Sequence, residues 1–189
     1  MANILDIFRT QSGGKLLARS IKITKLETKV IENTFIFMFP ALLCHFRKNG
    51  EGEIYNETED LIDLIENGDL INLGKAKTES LFTDTQQQIF LQYSQILSID
   101  ENKFQKILFI TGAVLTVIIS EMKKTNNSNL SEILNTLAGV STKCNQEFIG
   151  VLIKNPDDPN LIDSSEEISL SDNKKDDDPS ILGGYAGGR

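Results

Sequence analysis

Two long stretches of the chain repeat their apolar residues at helical intervals. In the first, Ile31, Phe35, Met38, Phe39, Leu42 and Phe46 recur on one face, the pattern of a helix laid against a core. Thr24 and Glu27 stand three apart, as in a capping box, so the helix is predicted to open there. Pro40 falls inside the pattern and must kink the helix or open a second one at its first turn; Asn49-Gly50 closes the segment. The second stretch starts at Asp100, a suitable cap, and ends near Lys123 and Lys124, whose charge suits a helix C-terminus. Its centre, Ile107 to Ile119, has thirteen residues without a charge. A membrane span needs roughly twenty apolar residues, and Lys106 and Glu121 flank the run, so a buried core helix is predicted rather than a span.

Shorter elements fill the rest. A helix is expected over Ile4 to Leu17, broken near Ser12-Gly13-Gly14, where glycines permit a turn. An acidic amphipathic helix is predicted from Glu57 to Glu66, stopping at Asn67-Gly68, and another from Thr83 to Leu97. After a loop at 126–128, a short helix spans Leu130 to Leu137 and stops at Gly139, and Glu147 to Ile153 forms a last packed element. No alternating run bounded by turns argues for a sheet, so the fold class is all-α. Sliding the chain by 76 residues lays Ile23-Thr24 on Ile99-Asp100, Ile31 on Ile107, Phe39 on Leu115 and Arg47-Lys48 on Lys123-Lys124. The expectation is a compact helical domain, 1–154, with two related halves at 1–76 and 77–153. An acidic linker, 155–179, and a Gly-rich motif, 180–189, follow, and this extension is expected to be disordered.

Charge sharpens that division. Residues 1–50 carry eight Lys/Arg against three acids, a balance of +5, which leaves −13 for the rest of a chain whose net charge is −8. From Asn155 onward nine acids face three bases. The acidic part repels phosphate, so nonspecific nucleic-acid binding by the whole chain is not expected. It also invites the tail to lie back over the basic N-terminal portion. The one basic row worth weighing is Lys22, Lys25 and Lys29, three or four apart on one face, with Arg19 nearby. A helical DNA-binding unit presents such a row, but so does an ordinary solvated face, and no Arg or Asn cluster suggests base reading.

The inventory for catalysis is thin. The single histidine, His45, lies in an apolar helix, where a structural role is the ordinary one, and its neighbour Cys44 points about 100° away around the helix. Cys44 and Cys144 have no metal-binding spacing and are expected to be buried thiols. Gly183-Gly184 and Gly187-Gly188 follow no strand and precede no Lys-Ser/Thr, so they form no phosphate loop. Glu57, Glu59, Asp60, Asp63 and Glu66 fall on solvated helix faces. No enzyme, metal site or cofactor is expected. The N-terminus lacks the layout of a signal peptide, and a soluble, cytoplasmic protein is expected.

Three motifs together resemble a known family. Asn3-Ile-Leu-Asp-Ile-Phe8 with Gly13-Gly14, then Phe39-Pro40-Ala41-Leu42-Leu43, then Asp176-Asp-Asp-Pro-Ser-Ile-Leu-Gly-Gly184, are similar to the opening, core and tail of the bacterial domain of unknown function DUF937. The resemblance spans nearly the whole chain but rests on low-complexity motifs. It implies a second, related apolar helix and supplies no catalytic residues. The chain departs from the family in replacing much Ala, Gly and Leu by Ile, Phe, Lys and Asn, and in lacking an Asp-Gly-Asp-Gly tail. A calcium loop counted from Asp172 would have Asp177 at the glycine position and Gly183 at the bidentate acid position, so it fails.

The tail suggests docking. Ile181, Leu182 and Tyr185 fall on one side of a single turn, and Gly183 and Gly184 let the backbone approach a groove closely. Docking on its own core, exchange between subunits and capture by another protein are all open, as is a merely frayed end. The expected function is a non-catalytic interaction or assembly protein with a protein partner, another copy or a different chain. The alternative is a DNA-associated helical protein whose acidic tail shields its basic face.

Overall fold

A computed structural model describes residues 2–49, 60–125 and 128–152, and among these the chain is helical with no strand. After a 3-10 segment, Ile4–Arg9, come α1 (Gln11–Thr24), α2 (Thr28–Asn49), α3 (Leu61–Glu66) and α4 (Leu70–Leu81). They are followed by α5 (Asp84–Ile96), α6 (Glu101–Thr125), α7 (Leu130–Leu137) and α8 (Asn145–Leu152). The all-α class read from the sequence is the class observed. The tail lies outside the described residues.

α6 is the axis of the fold and packs against each of the other seven α-helices. Asp100 caps it by accepting from Lys103 N at 3.1 Å. Every residue from Ile107 to Met122 is buried. The polar side chains in that stretch include three hydroxyls satisfied within the helix: Thr111 donates to Ile107 O, Thr116 to Gly112 O and Ser120 to Thr116 O, at 2.7–2.8 Å. By length and composition both Thr28–Lys48 and Glu101–Lys124 are sufficient to cross a membrane. In this structure α6 is covered by its neighbouring helices instead.

The tightest packing joins α4 to α6. A Cβ built on Gly74 would lie 1.7 Å from the carbonyl oxygen of Phe109, and one on Gly112 would lie 2.9 Å from Thr78 Cγ2. The two backbones therefore touch, and only glycine fits at position 74. The sequence pattern predicts no helix here, because α4 meets the core through Leu70, Gly74, Thr78 and Leu81. Two of those four contact residues are small, so no apolar period announces the helix.

Three boundaries differ from the sequence expectation. The first break falls at Thr10, not at the glycines: Thr10 Oγ1 accepts from Gly13 N at 3.2 Å and opens α1, so Gly13 and Gly14 lie within a helix. Gly13 is needed because a Cβ there would sit 2.0 Å from Ile7 O in the 3-10 segment. The second concerns Thr24, which ends α1 rather than capping α2. Its hydroxyl donates back to Ser20 O at 2.8 Å, and Lys25 turns the chain in a left-handed conformation with φ 57°. A Thr can satisfy a free donor at a helix start or its own helix's carbonyl, and Thr24 does the latter. Third, α2 runs on as one helix through Pro40. The carbonyl of Ile36, which loses its intrahelical donor there, belongs to an exposed residue that water can reach.

The other expectations fit closely. The six apolar positions predicted for α2 are all fully buried. α5 carries a capping box between Thr83 and Gln86, and α7 ends before Gly139, whose φ is +77°. α3 starts at Leu61 behind the cap Asp60, while 57–59 lie outside the described residues. The 76-residue shift makes the C-terminal ends of α2 and α6 coincide, but α6 begins at Glu101, ahead of the shifted start of α2, and the shift pairs the last residue of α1 with the cap of α6.

Candidate protein-interaction site

The residues with catalytic potential are engaged in structure. The His45 ring lies flat on Phe82, with centroids 3.9 Å apart and planes 4° apart. Its Nε2 donates to Leu81 O at 2.8 Å, tying α2 to the turn between α4 and α5. Cys144 is buried as expected, but Cys44 is exposed, a correction. Cys44 sits one turn beyond Pro40, which is exposed as well. Among the described residues no group of three or more His, Cys, Asp or Glu is placed to hold a metal ion. Asp60 is a helix cap, and Glu66 pairs with Lys15 at 2.7 Å.

The basic row does not lie on one helix face. Arg19 and Lys22 belong to α1, Lys25 is its left-handed cap, and Lys29 opens α2. The three lysines are exposed, but Arg19 donates to Glu66 O at 3.3 Å beside Asp69. Asp69 caps α4, and its carboxyl is held below the ordinary carboxylate range, chiefly by the hydrogen bond from Asn72 N. Arg19 adds a smaller electrostatic pull in the same direction. The expected row is thus a chain turn with one of its four cations facing acids.

Two apolar features of the surface were not evident as surfaces in the sequence. The first is a groove of about 280 Å³ between the 3-10 segment, the middle of α2 and the end of α7. Ile4, Leu5, Pro40, Leu43, Leu134 and Leu137 line it, with Asn3, Cys44 and Arg47 as its polar groups. Asn3 is held there by its own cap geometry: its Oδ1 accepts from Leu5 N and its N–H donates to Asp6 Oδ2, at 2.9 and 2.7 Å. The second feature is the outward face of α5. Ile89, Tyr93 and Ile96 follow at i, i+4 and i+7, and they are 51%, 38% and 74% exposed. Tyr93 packs on Phe37 of α2, with ring centroids 4.9 Å apart and planes tilted by 44°; Ile36, next to Phe37 in the chain, is 51% exposed.

The sequence held a signal for each feature. Asn3-Ile-Leu and Pro40-Ala-Leu-Leu stand out as motifs, but nothing local says that they share a groove with α7. The α5 row is helically spaced, and periodicity alone reads such a row as a core face. The predicted tail motif, Ile181 to Tyr185, lies outside the described residues. No protein-family model matches the chain, and no curated protein or solved structure matches it significantly.

Proposed function

We propose that this chain is a non-catalytic interaction or assembly protein. The observation that carries the reading is the apolar row Ile89, Tyr93 and Ile96, exposed together on α5. Single exposed apolar residues are ordinary, but a contiguous group on one face is the usual mark of a contact surface. Apolar area taken from water contributes roughly 25 cal/mol per Å², so this face favours an apolar partner surface, on another copy or another protein. The C-terminal motif Ile181, Leu182, Gly183, Gly184 and Tyr185 is read as a second, tethered contact element. The resemblance to DUF937 agrees with this reading insofar as it brings no catalytic residues.

Full-length protein and an Ile89→Glu/Ile96→Glu variant test it, by sedimentation velocity and by nuclease-treated pull-down. The variant is expected to keep its thermal melt, since exposed positions shift stability by only about 0.5 kcal/mol, and to lose self-association or a captured protein. Identical sedimentation and identical partners for both proteins would remove the support for this face.

A second reading, association with DNA, has the exposed lysines Lys22, Lys25 and Lys29 in its favour. It predicts a mobility shift that weakens steeply with salt, whereas apolar contacts strengthen or hold.

A further inference from the structure

We infer that the groove between the 3-10 segment, α2 and α7 is the docking site for the chain's own C-terminal motif, with Ile181, Leu182 and Tyr185 as the inserted side chains. The inference rests on reading that motif as a contact element, and it adds the place of contact. Three observations lead to it.

The first is size and chemistry. A cavity of roughly 150 Å³ lined by aliphatic and aromatic side chains takes up a benzene, and this groove, at about 280 Å³, is nearly twice that. It accommodates more than one aliphatic side chain, and its walls are largely Leu, Ile and Pro. At its α7 end Ala138 lines it, and a Cβ built on the next residue, Gly139, would lie 3.1 Å from Asn3 Cβ. The second is reach. α8 ends with Leu152, whose carbonyl accepts from Ser12 Oγ at 3.0 Å. The next residue of α1, Gly13, touches Ile7 of the 3-10 segment that forms one wall of the groove. α8 thus ends against the start of α1, which packs on the 3-10 segment, and a stretch as long as residues 153–180 spans at most roughly 90 Å, enough to reach the groove. The third is charge. The charged residue lining the groove is Arg47, followed by Lys48, and Asp176, Asp177 and Asp178 stand just before Ile181. Seating the apolar residues brings those acids toward the cations, an attraction that steers and orients more than it binds.

One rival occupant is also on this chain. Residues 50–59, which follow α2 in the sequence, carry Ile54 and Tyr55. Those two are adjacent in sequence, whereas Ile181, Leu182 and Tyr185 share one side of a turn and have Gly183 and Gly184 for close approach.

Native Cys44, exposed on the groove wall, gives the test a reporter, and Cys144 is buried. In the full chain, thiol labelling of Cys44 is compared with that in Leu182→Asp and Ile54→Asp variants. A docked fraction of about nine-tenths slows labelling about tenfold, and Leu182→Asp should abolish that protection. Separately, oxidation of a Leu182→Cys variant should form a disulfide to Cys44 within one chain, about tenfold faster than oxidation of a Ser171→Cys variant, because docking raises the local concentration. Equal oxidation rates, disulfides only between chains, or protection lost through Ile54→Asp instead would each overturn the inference. Ile89 of α5 borders a second hollow that Cys44 also lines, so the two tests are separated by readout: the α5 face is assayed by sedimentation and pull-down of an Ile96→Glu variant, and the groove by the disulfide between Leu182→Cys and Cys44.

Discussion

α2 and α6 are both long apolar helices that end on two cations, Arg47-Lys48 and Lys123-Lys124, yet they live in different surroundings. Within the most apolar window of each, 89% of α6 is buried and 44% of α2. Their polar residues explain the contrast. Thr111, Thr116 and Ser120 of α6 bond carbonyls of their own helix, so neighbours can close around it on all sides. The outer side of α2 carries Asn33 and Arg47, whose polar groups need water or partners from elsewhere, and Pro40, whose missing N–H leaves the Ile36 carbonyl in the same need. Apolar content therefore says that a helix packs. The kind of polar residue interspersed says whether it can be surrounded.

One substitution on each helix tests that contrast. Phe104 of α6 is fully buried, and Phe104→Ala should cost about 3–5 kcal/mol in urea unfolding. Ile36→Ala on the open side of α2 should stay within about 0.5 kcal/mol. Similar losses for both would mean that α2 is covered as α6 is. Gly74→Ala asks whether the close contact of α4 is part of what encloses α6. The new methyl meets backbone rather than a yielding side chain, so a loss of about 1–3 kcal/mol or more is expected. A neutral effect would show that α4 can move away.

The smallest effect concerns the cap of α4. The Asp69 carboxyl has a lowered pKa because Asn72 N donates to it. A group depressed in the folded state stabilises above its unfolded pKa, about 3.9, and that contribution is lost as pH falls through the lower folded value. Asp69→Asn keeps a capping oxygen but does not titrate, so its stability should decline less steeply below about pH 4 than that of the natural chain. Parallel acid-unfolding profiles would show that the cap contributes nothing through its charge.

Much of the fold was legible because burial and helical period coincide. Ile31, Phe35 and Phe39 announce α2, Asp100 announces the start of α6, and Gly139 marks the end of α7. The local pattern fails where packing is done by small residues or where one residue type has two uses. Gly74 and Thr78 hide α4 because their role is to leave space, and Thr24 reads as a helix start although its hydroxyl bonds backward to Ser20. Cys44 was expected inside because apolar neighbours in sequence surround it, but those neighbours point to other sides of the helix.

The sequence by itself determined the all-α class, the core faces of the long helices and the polarity between a basic opening and an acidic tail. These follow from side-chain period and charge, which are local properties. Only the tertiary structure decided that α6 lies at the centre, that α4 touches it backbone to backbone, and that Leu5, Leu43 and Leu137 line one groove. Those residues are far apart along the chain, and it is the crossing of helices, set by which side chains leave room for one another, that brings them together.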